Sequence, residues 1–400
     1  MKRKVNYGRL ATLILLAAGF IALGIGLIAG AAGSRQPVTK DEAQAEPETS
    51  KSVAVTATGD ILLEAPLIEQ FGTGSWNDLL TGVEPWLSGD DLTIANMEVP
   101  IGGEELGITG IDYNFNSYKE TAANLKSNSI EFVSLANNHA YDRGSQGIAN
   151  THANLDEAGV GYTGTATSQE ERDAVKTVDV NGMKIAIVSW TYNTNQPVEQ
   201  DYEVNAFYNC DSPQVQTLLD DVQKARSSAD AVIVCMHWGT EFTYELNQDQ
   251  VVLSQQIADA GADVIIGNHP HTVQPAATLT ASDGRQVPCF YSLGNLVSSA
   301  YMVDRADEQF QDMYEVGALA QFELTEEDET VKVSDVRLIP YVIQFEGEYE
   351  HPRLIALKDY TEELAAAHTQ RQYSTLFTKE WITDQLHQVF DDSGFELVTQ

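Results

Sequence analysis

Residues 231–271 read AVIVCMHWGTEFTYELNQDQVVLSQQIADAGADVIIGNHPH. Two short apolar runs, 231–236 and 263–266, enclose a segment, 249–260, whose apolar residues recur at helical spacing. Short runs that are hydrophobic throughout are typical of strands covered on both faces. Gly261, directly after the helical segment, is a common helix terminator. The stretch therefore predicts strand, helix and strand in succession, the pattern of an α/β fold.

The same alternation extends along the chain from residue 53. Further apolar runs predict strands at 53–58, 92–95, 132–136, 184–189 and 287–291. Helical spacing predicts helices at 118–127, 146–158 and 213–227. Two later strands, 317–324 and 331–342, have no helix between them, which indicates a second, partly antiparallel layer. We therefore expect a sandwich of sheets flanked by helices over residues 53–345, followed by a helical extension over residues 346–400.

Polar groups follow these predicted strands at the point where each strand ends. They are carboxylates, amides and imidazoles, in Thr58-Gly59-Asp60, Asn96-Met97-Glu98, Asn137-Asn138-His139, His237-Trp238-Gly239-Thr240-Glu241 and Gly267-Asn268-His269-Pro270-His271. The carboxyl ends of strands in an open α/β sheet meet at one crevice, so groups distant in sequence come together there. The sequence therefore predicts one shared site whose side chains suit a metal ion.

The histidines divide into two groups. Four lie at predicted strand ends, namely His139, His237, His269 and His271, whereas the other four lie in helical or irregular stretches. One isolated histidine is more often structural, but four placed alike beside carboxylates and an amide favour a metal site. Oxygen and imidazole ligands without thiolates suit Mn²⁺, Zn²⁺ or Fe better than Ca²⁺. We expect one or two divalent ions.

Composition restricts the partners and the redox chemistry. The chain has 23 Lys and Arg against 59 Asp and Glu, a formal net charge of −36. Such an excess of carboxylates repels phosphate backbones and argues against a nucleic-acid partner. Cys210, Cys235 and Cys289 form an odd set without CxxC spacing, so a disulfide framework is not expected. Stability must then come from the core and from bound metal.

The amino terminus predicts export. Lys2, Arg3, Lys4 and Arg9 precede an uncharged stretch, 10–33, long enough as a helix to cross a hydrocarbon core of about 30 Å. The basic flank places the amino terminus in the cytoplasm and the body outside the cell membrane. We expect residues 1–33 to be a signal-anchor and residues 34–52 a flexible linker. A cleaved signal peptide, which would leave a secreted protein, is the alternative.

Six motifs occur in order between residues 53 and 298: GDILL, ANMEVPIGG, SLANNHAYDRG, VCMHWGTEF, GNHPHTVQP and FYSLGNLV. This ordered series resembles the CapA-like capsule synthesis (PGA_cap) family. The resemblance implies the fold of calcineurin-like metallophosphoesterases, a four-layer sandwich with two mixed β-sheets flanked by helices. It also implies a role in making, exporting or anchoring a poly-γ-glutamate-type polymer at the cell surface.

The resemblance also assigns roles to single residues. It gives Asp60 to one metal with His271 as its partner, and Asn138, His237 and His269 to a second metal. His139 resembles the catalytic histidine, which protonates a leaving oxygen or stabilises developing charge. Two metals about 3.5 to 4 Å apart would activate a water and hold a phosphoryl group. Asp142 is expected to act beside His139, and Arg143 is an available cation for an anionic substrate.

Two positions depart from the phosphoesterase pattern. That pattern begins with Asp-x-His, but the position two beyond Asp60 is Leu62, which cannot bind metal. The bridging aspartate is also missing, and Glu98 is the candidate bridge because Asn96, the other residue available there, is not anionic. A single metal is therefore an open alternative. Glu241 and Asp142 are expected to orient the imidazoles or reach the substrate, with ordinary surface carboxylates as the alternative. Asn295 either helps to line the crevice or belongs to an ordinary Gly-Asn turn, and the turn is the favoured interpretation.

Three functions remain open at this point. The first is a capsule or poly-γ-glutamate biosynthesis protein whose metal site handles the end of an anionic surface polymer. The second is a metal-dependent phosphatase or phosphodiesterase that acts on a surface phosphate ester. The third is an assembly or anchoring subunit without catalysis, working with other polymer-synthesis subunits. In each case the membrane contact is the amino-terminal helix.

Overall fold

A computed structural model describes residues 51–301, 312–328 and 330–400. The predicted signal-anchor, residues 1–33, and nearly all of the predicted linker lie outside the described residues. Within these ranges, no helix has both the length and the apolar character needed to cross a bilayer.

The larger sheet of the described chain combines parallel and antiparallel strands. Its main path runs β16-β15-β14-β1-β2-β5-β6, with β13 paired to β1 and β17 paired to β15. Pairing is parallel from β1 through β2 and β5 to β6, and antiparallel from β1 through β14 and β15 to β16. The strands are β1 Ser52–Ile61, β2 Leu92–Met97, β5 Phe132–Ser134, β6 Gly161–Thr163, β13 Asn295–Val297, β14 Val316–Glu327, β15 Thr330–Glu346, β16 Glu350–Ala356 and β17 Glu396–Leu397.

The smaller sheet is also mixed and has the order β11-β12-β10-β9-β8-β7. Its central strands are parallel, and β7 and β11 pair antiparallel with their neighbours. Its strands are β7 Thr177–Val180, β8 Met183–Thr191, β9 Ala231–His237, β10 Val264–Asn268, β11 Val273–Thr280 and β12 Gln286–Leu293. A separate hairpin joins β3 Thr109–Ile111 to β4 Asn114–Asn116.

Helices cover the outer face of each sheet. The helices are α1 Ala65–Phe71, α2 Asn77–Leu80, α3 Glu84–Leu87, α4 Glu120–Ser127, α5 Gly144–Ala158, α6 Gln169–Asp173, α7 Gln214–Arg226, α8 Gln248–Ala260, α9 Glu362–Ala367 and α10 Lys379–Phe390. Leucines of α1 to α5 share a buried cluster with the larger sheet, and α7 and α8 share another with the smaller sheet. The predicted α/β sandwich of two mixed sheets flanked by helices is confirmed.

Strand β9 explains how the two sheets face each other. Ile233 and Cys235 lie in the central core between the sheets, whereas Val232 and Val234 lie in the outer cluster beneath α7 and α8. This alternation is the two-residue period of a strand. His237 follows Cys235 by two positions, so its side chain continues on the inner face. The end of β9 therefore directs an imidazole into the space between the sheets.

The C-terminal segment, predicted as a helical extension over residues 346–400, begins differently. Glu350–Ala356 forms strand β16 at the edge of the larger sheet. Pro352, Leu354 and Ala356 are buried at alternate positions, but the residues between them are Arg353 and the apolar Ile355, so the sequence shows no regular polar and apolar alternation. Helices α9 and α10 follow, and Ile382, Leu386 and Phe390 pack into the central core. The extension is therefore part of the sandwich.

A glycine controls how closely β1 approaches β13. A Cβ at Gly59 would lie 2.2 Å from the carbonyl oxygen of Gly294. That same carbonyl accepts the backbone N–H of Asp60 at 2.9 Å. The missing side chain thus allows β1 to place Asp60 beside Asn295, its partner in the parallel register. The spacing depends on position 59 having no Cβ.

Substituting Gly59→Ala should therefore destabilise the protein by about 1–3 kcal/mol, because the added methyl forces β1 and the Gly294 carbonyl apart. The free energy of unfolding can be measured by urea denaturation monitored by circular dichroism. A value within about 0.5 kcal/mol of wild type, the range of ordinary surface substitutions, would show that this contact does not limit the sheet.

Candidate metal centre

Side chains from both sheets meet at the carboxyl ends of the strands. Asp60 belongs to β1, Glu98 follows β2, Asn138 follows β5, His237 ends β9, and His269 and His271 follow β10. All six are buried. Because the contributing strands come from two sheets, the cluster lies where the ends of both sheets face each other. The structure thus brings together all six predicted ligands.

Glu98 lies at the centre of this cluster. Its Oε1 is 3.4 Å from Nε2 of His237 and 3.6 Å from Nε2 of His271. The Nδ1 of His271 is 3.5 Å from Oδ2 of Asp60. Two triads that contain Glu98 have ligand atoms within 4.8 Å of one another, and they are Glu98-His237-His269 and Asp60-Glu98-His271. Glu98 is common to both, as a bridging ligand would be.

The amide side chains of Asn138 and Asn96 hold His237 and Asp60 in place. Asn138 Oδ1 lies 2.8 Å from Nε2 of His237. Asn96 donates its amide N–H to Asp60 Oδ1 at 2.7 Å, and the same nitrogen is 3.3 Å from Nδ1 of His237. Asn96 therefore orients Asp60 and His237. Glu98, and not Asn96, is the anionic residue at the centre of the cluster, as the sequence predicted for the bridging ligand.

The cluster contains buried polar atoms that have no hydrogen-bond partner among the described residues. They are both carboxylate oxygens of Glu98, Nδ1 of His269 and Oδ1 of Asn96. Leaving a buried polar atom unpaired costs about 1–3 kcal/mol, so several at one place require an explanation. Oxygen and imidazole donors that converge within 4.8 Å fit a divalent cation. The residues present therefore suit the predicted metal.

The pKa values of the clustered carboxyl and imidazole groups are shifted in different directions. Burial, and then the nearby Glu98, raise the pKa of Asp60 to about 7, and burial raises the pKa of Glu98 as well. Burial lowers the pKa of His237 to about 3 and also holds the pKa of His269 far below its usual value. Burial opposes the charge on His271 too, but Glu98 and Asp60 outweigh it and raise its pKa to about 9.

The loop after β10 adopts an unusual backbone conformation. The backbone φ angle is 101° at His269 and 55° at His271, and residues other than glycine rarely adopt such positive values. The backbone N–H of His269 donates to Asp60 Oδ2 at 3.1 Å, which ties the loop to β1. Strained backbone of this kind persists where surrounding contacts enforce it, often at functional sites. Here the strain directs both imidazoles towards Glu98.

His139 forms a pair with Asp142 beside the cluster. Its Nδ1 lies 2.8 Å from Asp142 Oδ2, and that oxygen also accepts the backbone N–H of Phe115 at 2.7 Å. The backbone N–H of His139 donates to the side chain of Asn137. With Nδ1 held by Asp142, Nε2 is the ring nitrogen left for a substrate. The predicted pairing of these two residues is present.

Arg143 is placed differently from its expected role as a substrate-binding cation. Its guanidinium contacts the side chain of Asn114 and donates to the backbone oxygens of Asp142 and Gly107. These contacts direct the charge to the segment around the β3–β4 hairpin. Within the described residues, Arg143 has no hydrogen bond or ion pair with the six clustered ligands. Its side chain fixes a loop, and the loop carries Asp142.

Comparison with known proteins identifies the family. The sequence model described as Bacterial capsule synthesis protein PGA_cap matches residues 54–300, more than half of the chain. The chain belongs to this family. Relatives include the capsule biosynthesis protein CapA of Bacillus anthracis, 28% identical over 260 residues, and the PGA biosynthesis protein CapA of Bacillus subtilis (strain 168), 29% identical over 254 residues. These alignments cover 62% and 61% of this chain, and 60% and 63% of the relatives.

The match spans less than two thirds of the length of these two relatives. Among solved structures, the calcineurin-like phosphoesterase YfkN from Bacillus subtilis aligns with a TM-score of 0.43 and 14% sequence identity. That alignment covers 85% of this chain and 97% of YfkN. The layered arrangement of this PGA_cap protein is established by its own two sheets and their helices.

Two asparagines outside the six predicted ligands contribute to the site of this PGA_cap protein, and the sequence analysis missed one of them, Asn195. Asn295 is buried and lies 2.9 Å from Nδ1 of His271 through its Oδ1, while its amide donates to the backbone oxygen of Tyr314. Of the two roles considered for Asn295, these contacts favour the one that lines the crevice. Asn195 lies after β8, with Nδ2 3.4 Å from Nε2 of His139. The polar segment Tyr192-Asn193-Thr194-Asn195 after a predicted strand was the available signal.

Substituting Glu98→Gln should abolish the stabilisation that Mn²⁺ gives to the wild type. A ligand at about 100 times its dissociation constant raises the free energy of unfolding by about 2.7 kcal/mol if it binds only the folded state. The variant removes the shared anionic ligand, so its unfolding midpoint should not respond to Mn²⁺. Calorimetry with EDTA or Mn²⁺ measures this response. Glu157→Gln, an exposed position on α5, is the control, and an equal response in both variants would contradict the assignment.

Proposed function

We propose that this PGA_cap-family protein is a metal-dependent hydrolase of metallophosphoesterase type that acts in capsule or poly-γ-glutamate biosynthesis. The observation that carries the proposal is Glu98, a buried carboxylate without a hydrogen-bond partner among the described residues and within 3.6 Å of two imidazoles. A carboxylate kept in this state is costly unless it serves a cation. The names of the two Bacillus relatives support the assignment to polymer biosynthesis.

The proposed ligands supply enough donors for one or two divalent ions. They are Asp60, Glu98, Asn138, His237, His269 and His271. The absence of thiolates favours Mn²⁺, Zn²⁺ or Fe as the bound metal. When bound, the cation supplies Lewis-acid chemistry by polarising a phosphoryl or carbonyl oxygen.

His139 is the proposed general acid. Asp142 holds Nδ1 of the ring at 2.8 Å, which leaves Nε2 to donate a proton to the leaving oxygen of the substrate. As the oxygen of a water molecule forms a bond to the phosphorus or carbonyl carbon and releases a proton to solvent, the bond from that centre to the leaving oxygen breaks. The leaving oxygen keeps the electron pair and takes the proton from Nε2. Asp142 acts through His139 and is therefore a positioning residue. Asn195, 3.4 Å from Nε2, is placed to contact the same leaving group.

We place this reaction on the outer side of the cell membrane. The support is the uncharged stretch 10–33 behind four basic residues, with the polar segment 34–52 as a tether. The proposed substrate is an anionic surface polymer or a phosphate ester, and other polymer-synthesis subunits are proposed partners. Because the chain has a net charge of −36, a bound cation would also reduce repulsion of such a substrate.

A non-catalytic assembly role is the second candidate, and Leu62 favours it. Leu62 stands where the phosphoesterase pattern has a metal-binding histidine. Its side chain is 4% exposed and packs in the buried cluster on the helix side of the larger sheet. A site with one ligand fewer can retain metal as a structural element without catalysis. The two functions differ in whether His139 affects turnover.

The primary test combines metal analysis with hydrolysis of bis(p-nitrophenyl) phosphate in Mn²⁺. His269→Ala should lose both bound metal and hydrolysis. His139→Ala should keep its metal while hydrolysis falls by about 10²–10⁴-fold, the usual contribution of a general acid. His387→Ala is the matched control, because His387 lies on α10 with its side chain 45% exposed and pairs with Asp391.

Two results would contradict the proposal in different ways. If the wild type holds no more metal than His269→Ala, the cluster is not a metal site. If metal is bound but His139→Ala hydrolyses the ester as fast as the wild type, the catalytic role fails and the assembly role is favoured.

Glu241 is a further proposed ligand, in place of the histidine that Leu62 replaces. A carboxylate oxygen of Glu241 and ring nitrogens of His269 and His271 lie within 4.8 Å of one another. The next residue, Phe242, donates its backbone N–H to Pro270 O at 2.9 Å, which fastens this segment to the histidine loop. Glu241 thus brings a third carboxylate to the cluster, beside Asp60 and Glu98, and this suits a site for two divalent cations.

Substituting Glu241→Gln should weaken Mn²⁺ binding by about 10–100-fold, the range found when a supporting group at a metal site is removed. The binding constant can be measured by titration followed by electron paramagnetic resonance. Glu245→Gln is a close control, because Glu245 is also exposed and lies on the same segment. Equal affinities in the two variants would remove Glu241 from the ligand set.

A further inference from the structure

A groove of about 660 Å³ lies on the surface beside the smaller sheet. One wall is formed by the segment between β8 and α7, residues 192–206, which we call the 192–206 loop. Residues at the start of α6 and α7 form the other wall, including Gln169 and Gln214. This volume is in the range of small-molecule and oligomer binding sites in proteins.

The groove is rich in carboxamide side chains that are not used within the protein. Asn193, Gln196 and Gln214 line it, and within the described residues their side chains make no hydrogen bond. Each carboxamide offers a carbonyl acceptor and two N–H donors. The groove therefore presents both donors and acceptors to an occupant.

The positive charge in the groove is already paired. Arg172 donates to both oxygens of Asp221, at 3.1 and 2.8 Å, and stacks over the ring of Trp190 at 5.2 Å. Asp201 on the opposite wall is exposed and acidic. No other Lys or Arg of the described chain lines this groove. An anionic chain such as polyglutamate thus finds no unpaired cation here, and the chemistry favours an uncharged occupant.

Aromatic rings complete the lining. Tyr208 is 65% exposed, unusually high for so large a side chain, and Tyr202 is half-buried. Flat aromatic faces pack against the C–H faces of sugar rings, while neighbouring amides bind the hydroxyl and acetamido groups. The combination of free carboxamides, tyrosines and little net charge matches an uncharged, N-acetylated saccharide better than a peptide of charged residues.

The 192–206 loop connects this groove to the metal centre. Tyr192 packs its ring 4.6 Å from that of His269, and Asn195 reaches His139. The loop is anchored by the backbone N–H of Asn195, which donates to Asn138 O at 2.7 Å. The hydroxyl of Tyr141 also donates to the buried carboxylate of Glu203, at 2.9 Å. An occupant of the groove therefore lies against the same loop that borders the proposed catalytic histidine.

From these observations we propose that the groove is a binding site for an uncharged saccharide chain carrying N-acetylated amino sugars. The site is separate from the metal ligands. Binding in it requires neither bound metal nor His139, so the proposal goes beyond the function proposed above. It gives the protein a means to hold a glycan beside its metal centre.

The probe is the tetramer of β-1,4-linked N-acetylglucosamine, titrated into the full chain and followed by isothermal calorimetry. Saturable binding is expected. Tyr208→Ala and Gln196→Ala should each weaken it by about fivefold to tenfold, the loss of one packing or hydrogen-bond contact. Tyr373→Ala is the control, because Tyr373 is an exposed tyrosine that lines a different groove. Binding should be the same in EDTA as in Mn²⁺, because the groove contains none of the proposed metal ligands.

Comparison ligands separate the possible outcomes. A tetramer of β-1,4-linked glucose should bind more weakly because it lacks acetamido groups, and a γ-linked glutamate tetramer should not compete. Absence of saccharide binding, or binding unaffected by both groove variants, would overturn the proposal and leave the metal centre untouched. Tighter binding of the γ-glutamate tetramer would replace the saccharide with an anionic polymer. Loss of binding when EDTA replaces Mn²⁺ would place the saccharide at the metal centre instead.

Discussion

The structure depends on keeping the carboxylate of Glu98 buried between two sheets. A carboxylate removed from water is unfavourable unless positive charge or hydrogen bonds surround it. Here the nearest groups are the imidazoles of His237 and His271, at 3.4 and 3.6 Å. Because these imidazoles come from the other sheet, the charge of Glu98 and the packing of the sandwich cannot be separated. The same burial, together with Glu98, raises the pKa of Asp60, whereas Glu98 and Asp60 outweigh burial and raise the pKa of His271.

The sandwich supplies the rigidity that such a site requires. The central core between the sheets contains Val55 and Ile94 on one side and Ile233 and Ile266 on the other. Strands from both sheets continue beyond this core and end in polar residues at the same edge. Donors on packed strands are held within small distances of their working positions, which a metal centre needs more than a flexible loop can provide. The C-terminal helices close the central core and so support the site indirectly.

The 192–206 loop joins the cluster of histidines and carboxylates to the groove proposed to bind a saccharide. Its first residues contact His269 and His139, and its remaining residues form a groove with different chemistry. The cluster around Glu98 is dense in charge, whereas the groove offers amides and aromatic rings. A protein with a net charge of −36 would repel an anionic chain over most of its surface. A nearly neutral groove beside the cluster gives a different class of ligand a place to bind.

The sequence by itself determined the α/β alternation and identified the six residues that cluster at the strand ends. Strand periodicity is a local property, and polar residues at successive strand ends point to one crevice whatever the details of packing. Strand β16 was missed because its residues, with Arg353 and the apolar Ile355 between the buried positions, show no regular polar and apolar alternation. The family assignment rests on the same motifs, since the match to the PGA_cap description covers residues 54–300.

Only the tertiary structure decided how those ligands are directed. A register shift in β1 between Ala57 and Asp60, and positive φ at His269 and His271, direct the side chains towards Glu98. Long-range packing sets these backbone conformations, and residues 36 to 209 positions apart make the resulting hydrogen bonds. The same packing turns Leu62 and Arg143 away from the cluster and brings Asn195 and Asn295 towards it. Such contacts cannot be predicted from the local sequence, because each depends on the position of a segment that is distant along the chain.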